Sequence, residues 1–235
     1  MKENILKKLE KYLWVRWEFN KREKQYIKAT QIHAKYLKYI PWVLFIWIWN
    51  SIAMKNSHSW SDIDLFIIAQ KNRLWTVRIL TTFYFFILWK RKNLKNHAWK
   101  YCLSFFITEK ALDFSTFTIE NDFYLAYRIE TLVPILDYNF IYKRFLSSNS
   151  WTIKITCDNI FLEQKKYIVV SGTKKKWNVL WNLFEKITKK LLWARTLKKR
   201  YQLWSPYGII ITDDILKFHN NDKRKQIRDA ILDMQ

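Results

Sequence analysis

Glycine is nearly missing from this chain. There are two in 235 residues, Gly172 and Gly208, where an average composition of about 7% would give roughly 16. Cysteine is as scarce: Cys102 and Cys157 are too few and too far apart for a disulfide scaffold or a cysteine-based zinc site. They read as reduced core cysteines of a cytoplasmic protein. Acid is short too, with 20 acidic against 42 basic residues and a formal charge of +22. A field of that sign favours polyanions such as nucleic acid, nucleotides or an anionic membrane surface. No apolar run reaches the roughly 20 residues a membrane helix needs. The longest, Pro41 to Met54, is interrupted by Asn50 and Ser51, and the next, Ile79 to Trp89, is shorter. The N-terminal MKENILKKLEKYL is amphipathic and charged, without the apolar core of a signal peptide.

What the chain has in excess is tryptophan, 14 residues. Tryptophans and glycines together make 16, the number of glycines an ordinary chain of this length would hold. Some bacterial genetic codes read UGA as glycine where other tables read it as tryptophan. Many of the tryptophans therefore read as glycine positions, and the physical test is whether they fall where a backbone needs glycine. Trp47, Trp49, Trp60, Trp89 and Trp99 fall at expected turns, a helix end or a small-residue loop. Trp42, Trp75 and Trp151 lie in apolar surroundings with no turn requirement and read as core tryptophans.

Hydrophobic periodicity divides the chain into an N-terminal helical region (1–40), a core (41–115) and a mainly helical C-terminal region (116–235). Two helices fill the first. Val43 to Ile48 and Asp62 to Ala69 have the length and continuous apolarity of interior strands. Between them, Asn50 to Met54 is long enough for one helical turn. A buried helix is expected from Asn72, as N-cap, to about Leu88, with Trp89 where helices commonly stop at glycine. A third strand follows at Tyr101 to Thr108. Helices are expected at 120–132, 139–146 and 179–201, a strand-like stretch at 166–171, and a final helix at about 222–234.

The chemistry concentrates in FIWIWNSIAMKNSHSWSDIDLFII. Asp62 and Asp64, at i and i+2 of a strand start, point to one face with Cα atoms about 6.5 Å apart. Two carboxylates so placed can share a divalent cation such as Mg²⁺, which favours one or two carboxylates plus substrate phosphate oxygens. With Trp49 read as glycine, the upstream strand runs into G-N-S, a small-residue turn at a helix N-terminus whose N–H groups, with the Ser51 hydroxyl, can approach a phosphate.

Strand, Gly/Ser turn, loop and S-D-h-D-h strand together resemble the nucleotidyltransferase (polymerase-β-like) superfamily. NSIAM, DIDLFII, KNRLW and CLSFFIT extend the likeness over about Pro41 to Trp151. The resemblance implies an α+β fold, a small mixed β-sheet flanked by N- and C-terminal helices. It also implies Mg²⁺ (or Mn²⁺) at Asp62 and Asp64, and nucleotide binding at Trp49 (as glycine), Asn50, Ser51 and Ser61. The implied activity is transfer of a nucleotidyl group from a nucleoside triphosphate to an acceptor hydroxyl, the charge leaning toward RNA or another polyanionic acceptor. Two departures qualify the likeness. Asn50 stands between position 49 and Ser51, and the third strand offers Ser104 where active members carry a third carboxylate. Glu109 and Asp113 lie just beyond that strand as substitutes. A weakly active or inactive nucleotide- or nucleic-acid-binding module of the same fold is the alternative, and a membrane-associated protein the third reading.

Other groups have plainer readings. Lys71 and Arg73 could reach phosphate or simply solvate a helix start, Arg78 is snorkelling or paired, and His58 is a solvated loop histidine or a neighbour of the nucleotide. The runs KRKNLKNHAWK and TLKKR are basic patches suited to a nucleic-acid backbone or to solvent. The four histidines show no metal-ligand spacing.

Overall fold

The computed structural model describes residues 2–93, 97–156, 164–174, 181–203, 208–218 and 222–234. Cys157 and the middle of the KRKNLKNHAWK loop fall outside them. The chain is an α+β protein built on one seven-stranded mixed sheet, order β5-β4-β1-β2-β3-β7-β6. The strands are β1 (Val43–Trp49), β2 (Ile63–Ala69), β3 (Tyr101–Thr108), β4 (Val133–Tyr138), β5 (Val170–Gly172), β6 (Ile209–Ile211) and β7 (Ile215–Phe218). The helices are α1 (Lys2–Leu13), α2 (Lys21–Leu37), α3 (Leu74–Ile87), α4 (Phe123–Glu130), α5 (Ile141–Ser148), the single turn α6 (Ile153–Thr156), α7 (Trp181–Leu203) and α8 (Arg224–Asp233).

The continuous apolarity of β1 and β2 follows from their place at the centre, with both faces covered. They run antiparallel, β3 lies parallel to β2, and β4 is antiparallel to β1 on its other side. One face carries Ile46, Ile48, Leu65 and Ile67, packed with Ala34, Leu37, Trp75 and Val77 of α2 and α3. The other carries Phe45, Trp47, Trp49, Phe66 and Phe105, covered by Leu125 and Ile129 of α4 and Ile141 and Phe145 of α5. A third cluster joins α1, α4 and α8 around Met54. Among the described residues, no helix is long and apolar enough to cross a membrane.

The region beyond residue 115, expected to be mainly helical, contributes four strands to this sheet. β4 was hidden by Pro134, since a proline argues against an interior strand. The sheet accommodates it at a register shift between Ile46 and Trp47, opposite Pro134. β6 and β7 are only three and four residues long, too short for a periodic signal. Asn72 is not the N-cap of α3: it has φ +59°, and Arg73 at the cap position makes no side-chain cap. The Glu185 carboxylate of α7 does that work, accepting from the backbone N–H groups of Trp75 and Thr76, both at 2.9 Å.

Nine described non-glycine residues have positive φ, and three of them are tryptophan: Trp14 (+54°), Trp89 (+54°) and Trp99 (+62°). Trp89 follows α3. Its N–H bonds to the carbonyl of Phe86 and that of Lys90 to the carbonyl of Phe85, the paired bonds of a Schellman C-terminus. Trp14 follows α1 in the same way, with Trp14 N–H on Lys11 and Val15 N–H on Glu10. Trp99 is the third residue of a turn closed by Lys100 N–H on His97, a position that favours glycine or asparagine when φ is positive. Trp47, Trp49 and Trp60 have ordinary backbone. The left-handed residue of the turn after β1 is Asn50, with φ +61°.

Candidate metal and phosphate site

Parallel pairing of β2 with β3 sets Asp64 beside Cys102, and Asp62 lies just ahead of β2. One ligand atom from each of Asp62, Asp64 and Cys102 falls within 4.8 Å of the others. Two carboxylates and a thiol thus converge where β2 and β3 begin, on the face that carries Trp49 and Phe66. The residues fit a divalent cation through their two carboxylates, while a thiol is a softer donor, better suited to Zn²⁺ than to Mg²⁺ or Mn²⁺.

Each group has a distinct partner. Asp62 accepts an ion pair from Lys92 Nζ at 2.8 Å. Asp64 Oδ2 accepts from Asn50 Nδ2 at 2.9 Å, and Asn50 Oδ1 in turn accepts from Arg128 of α4. Cys102 Sγ donates to Ser104 Oγ at 3.4 Å. Burial, and then the Asp62 charge, push the Asp64 carboxyl up to about 6. Burial likewise holds the Cys102 thiol well above its ordinary value, with Asp64 adding to the effect. For Lys92, burial opposes the charge, but the bond to Asp62 and the surrounding anionic groups outweigh it and its pKa rises. An added cation would therefore meet a carboxylate pair whose inner member resists ionising while the site is dry and anionic.

The turn after β1 is a single turn, closed by Met54 N–H on Asn50 and Asn56 N–H on Ser51. No helix starts there, so the expected helix N-terminus at positions 49–51 is absent among the described residues. Trp49 is the last residue of β1, paired with Asp64 and 1% exposed, its indole packed against Phe66 and Phe105. Ser61 Oγ accepts from His58 N–H at 2.8 Å and so shapes the loop into β2. The imidazole of His58 stacks on Trp60 at 5.3 Å. That loop is anchored from below by buried Glu23, which accepts from Ser57 Oγ at 2.7 Å, Ser57 N–H at 3.1 Å and Arg16 at 2.6 Å.

Several sequence candidates lie elsewhere. Glu109 and Asp113 follow the far end of β3, about 20 Å of strand from Cys102. Glu109 pairs with Arg144 at 3.1 Å, and Asp113 accepts from Ser115 N–H. Neither supplies the third ligand. Lys71 and Arg73 follow the far end of β2 as well, Arg73 lying over the Trp42 ring. Arg78 is paired, bonding Thr196 Oγ1 at 3.3 Å and lying over Phe218.

Sequence reasoning missed Cys102, Lys92 and Arg128 as members of this cluster. Cys102 lay at the second residue of the expected third strand, but nothing local placed that strand parallel to β2. Lys92 stood out only as part of a basic run and Arg128 carried no local signal, because loop and helix reach the site only through the tertiary fold. Comparison with models of protein families, with curated proteins and with solved structures found no match to this chain.

Proposed function

We propose that this chain is a nucleotidyltransferase-type protein that binds a divalent metal with a nucleoside triphosphate and passes a nucleotidyl group to an acceptor hydroxyl. The observation that supports it most is the convergence of Asp62, Asp64 and Cys102 at the start of two parallel strands. Asp62 and Asp64 would hold the cation, and Asn50, bonded to Asp64, would fix the inner carboxylate. A bound Mg²⁺ or Mn²⁺ would supply charge neutralisation for the polyphosphate. Ser51 and Ser61, next in the chain to Asn50 and Asp62, would offer hydroxyls to the phosphates. The +22 charge favours a polyanionic acceptor such as RNA, met in the cytoplasm.

The same reading takes Trp49 as glycine, together with Trp14, Trp89 and Trp99. Support comes from the left-handed backbone of the last three, the first two at Schellman termini, where glycine is the usual residue. For Trp49 the backbone gives no such support, and the reading follows from the room a phosphate would need: the indole packs on Phe66, Phe105 and the Arg128 guanidinium. The coding DNA decides this directly, UGA at these four positions supporting it and UGG overturning it.

The test of the metal site is calorimetry of a nucleoside triphosphate with and without Mg²⁺ on W49G and W49G/D62N/D64N, where the Mg²⁺-dependent part of the binding is expected to disappear in the second. Unchanged affinity would sink the assignment. A second reading, a binding module without transfer, draws on Cys102 standing at the third ligand position and on Lys92 already occupying Asp62. Labelled nucleotide retained without pyrophosphate release, over a panel of acceptors, would favour it.

A further inference from the structure

Arg128 presents an electrostatic problem. Its side chain is 6% exposed, and among the described residues no carboxylate lies within ion-pair distance of its guanidinium. Burial lowers its pKa, with Tyr124, Asp222 and Asp64 acting only from a distance to support the charge. One Nη2 donates to Asn50 Oδ1, and Nε is buried with no hydrogen-bond partner. The guanidinium otherwise lies against two rings, 4.4 Å from the centroid of Trp49 and 5.2 Å from that of Tyr124. Such ring contacts offset only part of what burying a cation without a counter-ion costs.

The fold nevertheless holds this arginine firmly. α4 is capped by Asp122, which accepts from Leu125 N–H at 3.0 Å and pairs with Arg224 at 3.1 Å. Arg224 also holds Asp222 at 3.0 Å, so the C-terminal segment locks the helix that carries Arg128. The guanidinium is a fixed planar fork, one branch tied through Asn50 to Asp64, with a neighbouring volume filled by the indole of Trp49.

We propose that Arg128 is the anion-binding residue of this site and takes a phosphate oxygen pair of a polyphosphate in the volume that the Trp49 indole fills. This rests on the nucleotide reading above and on glycine at position 49. Removal of the indole opens a volume beside the guanidinium, where a phosphate supplies the missing counter-ion and can accept from the in-plane N–H edge that carries the unpartnered Nε. Because Asn50 bonds both Arg128 and Asp64, the anion would sit beside the carboxylate pair, its charge shared between arginine and metal.

The probe is inorganic tripolyphosphate, titrated calorimetrically in chelator at about 0.15 M ionic strength, which screens the general surface charge. W49G is expected to bind at least tenfold more tightly than the chain with Trp49, and W49G/R128Q to lose that gain. W49G/D62N/D64N is expected to bind as well as W49G or better, since it lacks two repelling carboxylates. Metal-free binding by this variant separates the Arg128 site from the metal site, whose failure would appear only with Mg²⁺ present. Equal affinity of W49G and W49G/R128Q overturns the proposal, as does tripolyphosphate binding in the Trp49 chain at the W49G level. If the glutamine variant does not fold, W49G/R128K decides. A several-fold loss supports the planar fork, and unchanged affinity overturns it.

Discussion

At Trp14 and Trp89 the chain puts its bulkiest side chain into left-handed backbone and gains little packing in return, the two being 84% and 82% exposed. A residue with a Cβ carries roughly 1–2 kcal/mol of strain in that conformation, and glycine relieves it. Trp14→Gly and Trp89→Gly are therefore each expected to stabilise the protein by about 1 kcal/mol, partly offset by the entropy of the unfolded glycine. Trp75→Gly, which empties a buried site, is expected to cost about 3–5 kcal/mol. Thermal unfolding of the three variants checks this, and a lower Tm for Trp89→Gly contradicts it. Trp89 and Trp99 were legible in the sequence because each stands beside a visible boundary, a helix end and a basic loop. Trp14 was not, since YLWVRW holds no Gly, Pro, Asn or Asp to mark a turn. Buried indoles give no such discrimination: the Nε1 atoms of Trp42, Trp47, Trp49 and Trp75 all lack partners, whether or not the surrounding sequence suggested glycine.

Among the elements, β1, β2 and β3 matched their sequence signals closely, because interior strands must be apolar on both faces and helices α2 and α3 flank them. The ends of elements were less legible. α3 has its first free N–H groups satisfied by Glu185, about a hundred residues later in the chain, and no local pattern can announce such a cap. Glu185→Ala is expected to cost about 1 kcal/mol, the usual worth of a cap, and to raise amide exchange at Trp75 and Thr76 while leaving β1 unchanged. Equal exchange in both proteins would show the cap to be idle. The candidate site follows the same division. Asp62, Asp64 and Asn50 could be read from adjacent residues, whereas Cys102, Lys92 and Arg128 arrive from a parallel strand pairing, a loop and a helix on the covering layer.

For the molecule as a whole, the sheet makes residues 41–115 dependent on strands from the C-terminal half. β1 is flanked by β4 and β3 by β7, both from later in the chain, so a 41–115 fragment would expose two long apolar edges. It is expected to aggregate or lack cooperative unfolding by circular dichroism; a sharp thermal transition in a monomeric fragment would refute this. The whole molecule also bears on the ion pair between Lys92 and Asp62. With both carboxylates ionised, Asp62, Asp64 and Lys92 carry one net negative charge between them. On the proposed reading, a divalent ion that took the ammonium's place would neutralise the two carboxylates and release Lys92 to the loop after α3, beside Lys90 and Arg91. Occupancy inside the protein would then become readable outside it: filling the site would give that loop a free positive charge and strengthen its attraction for a polyanion.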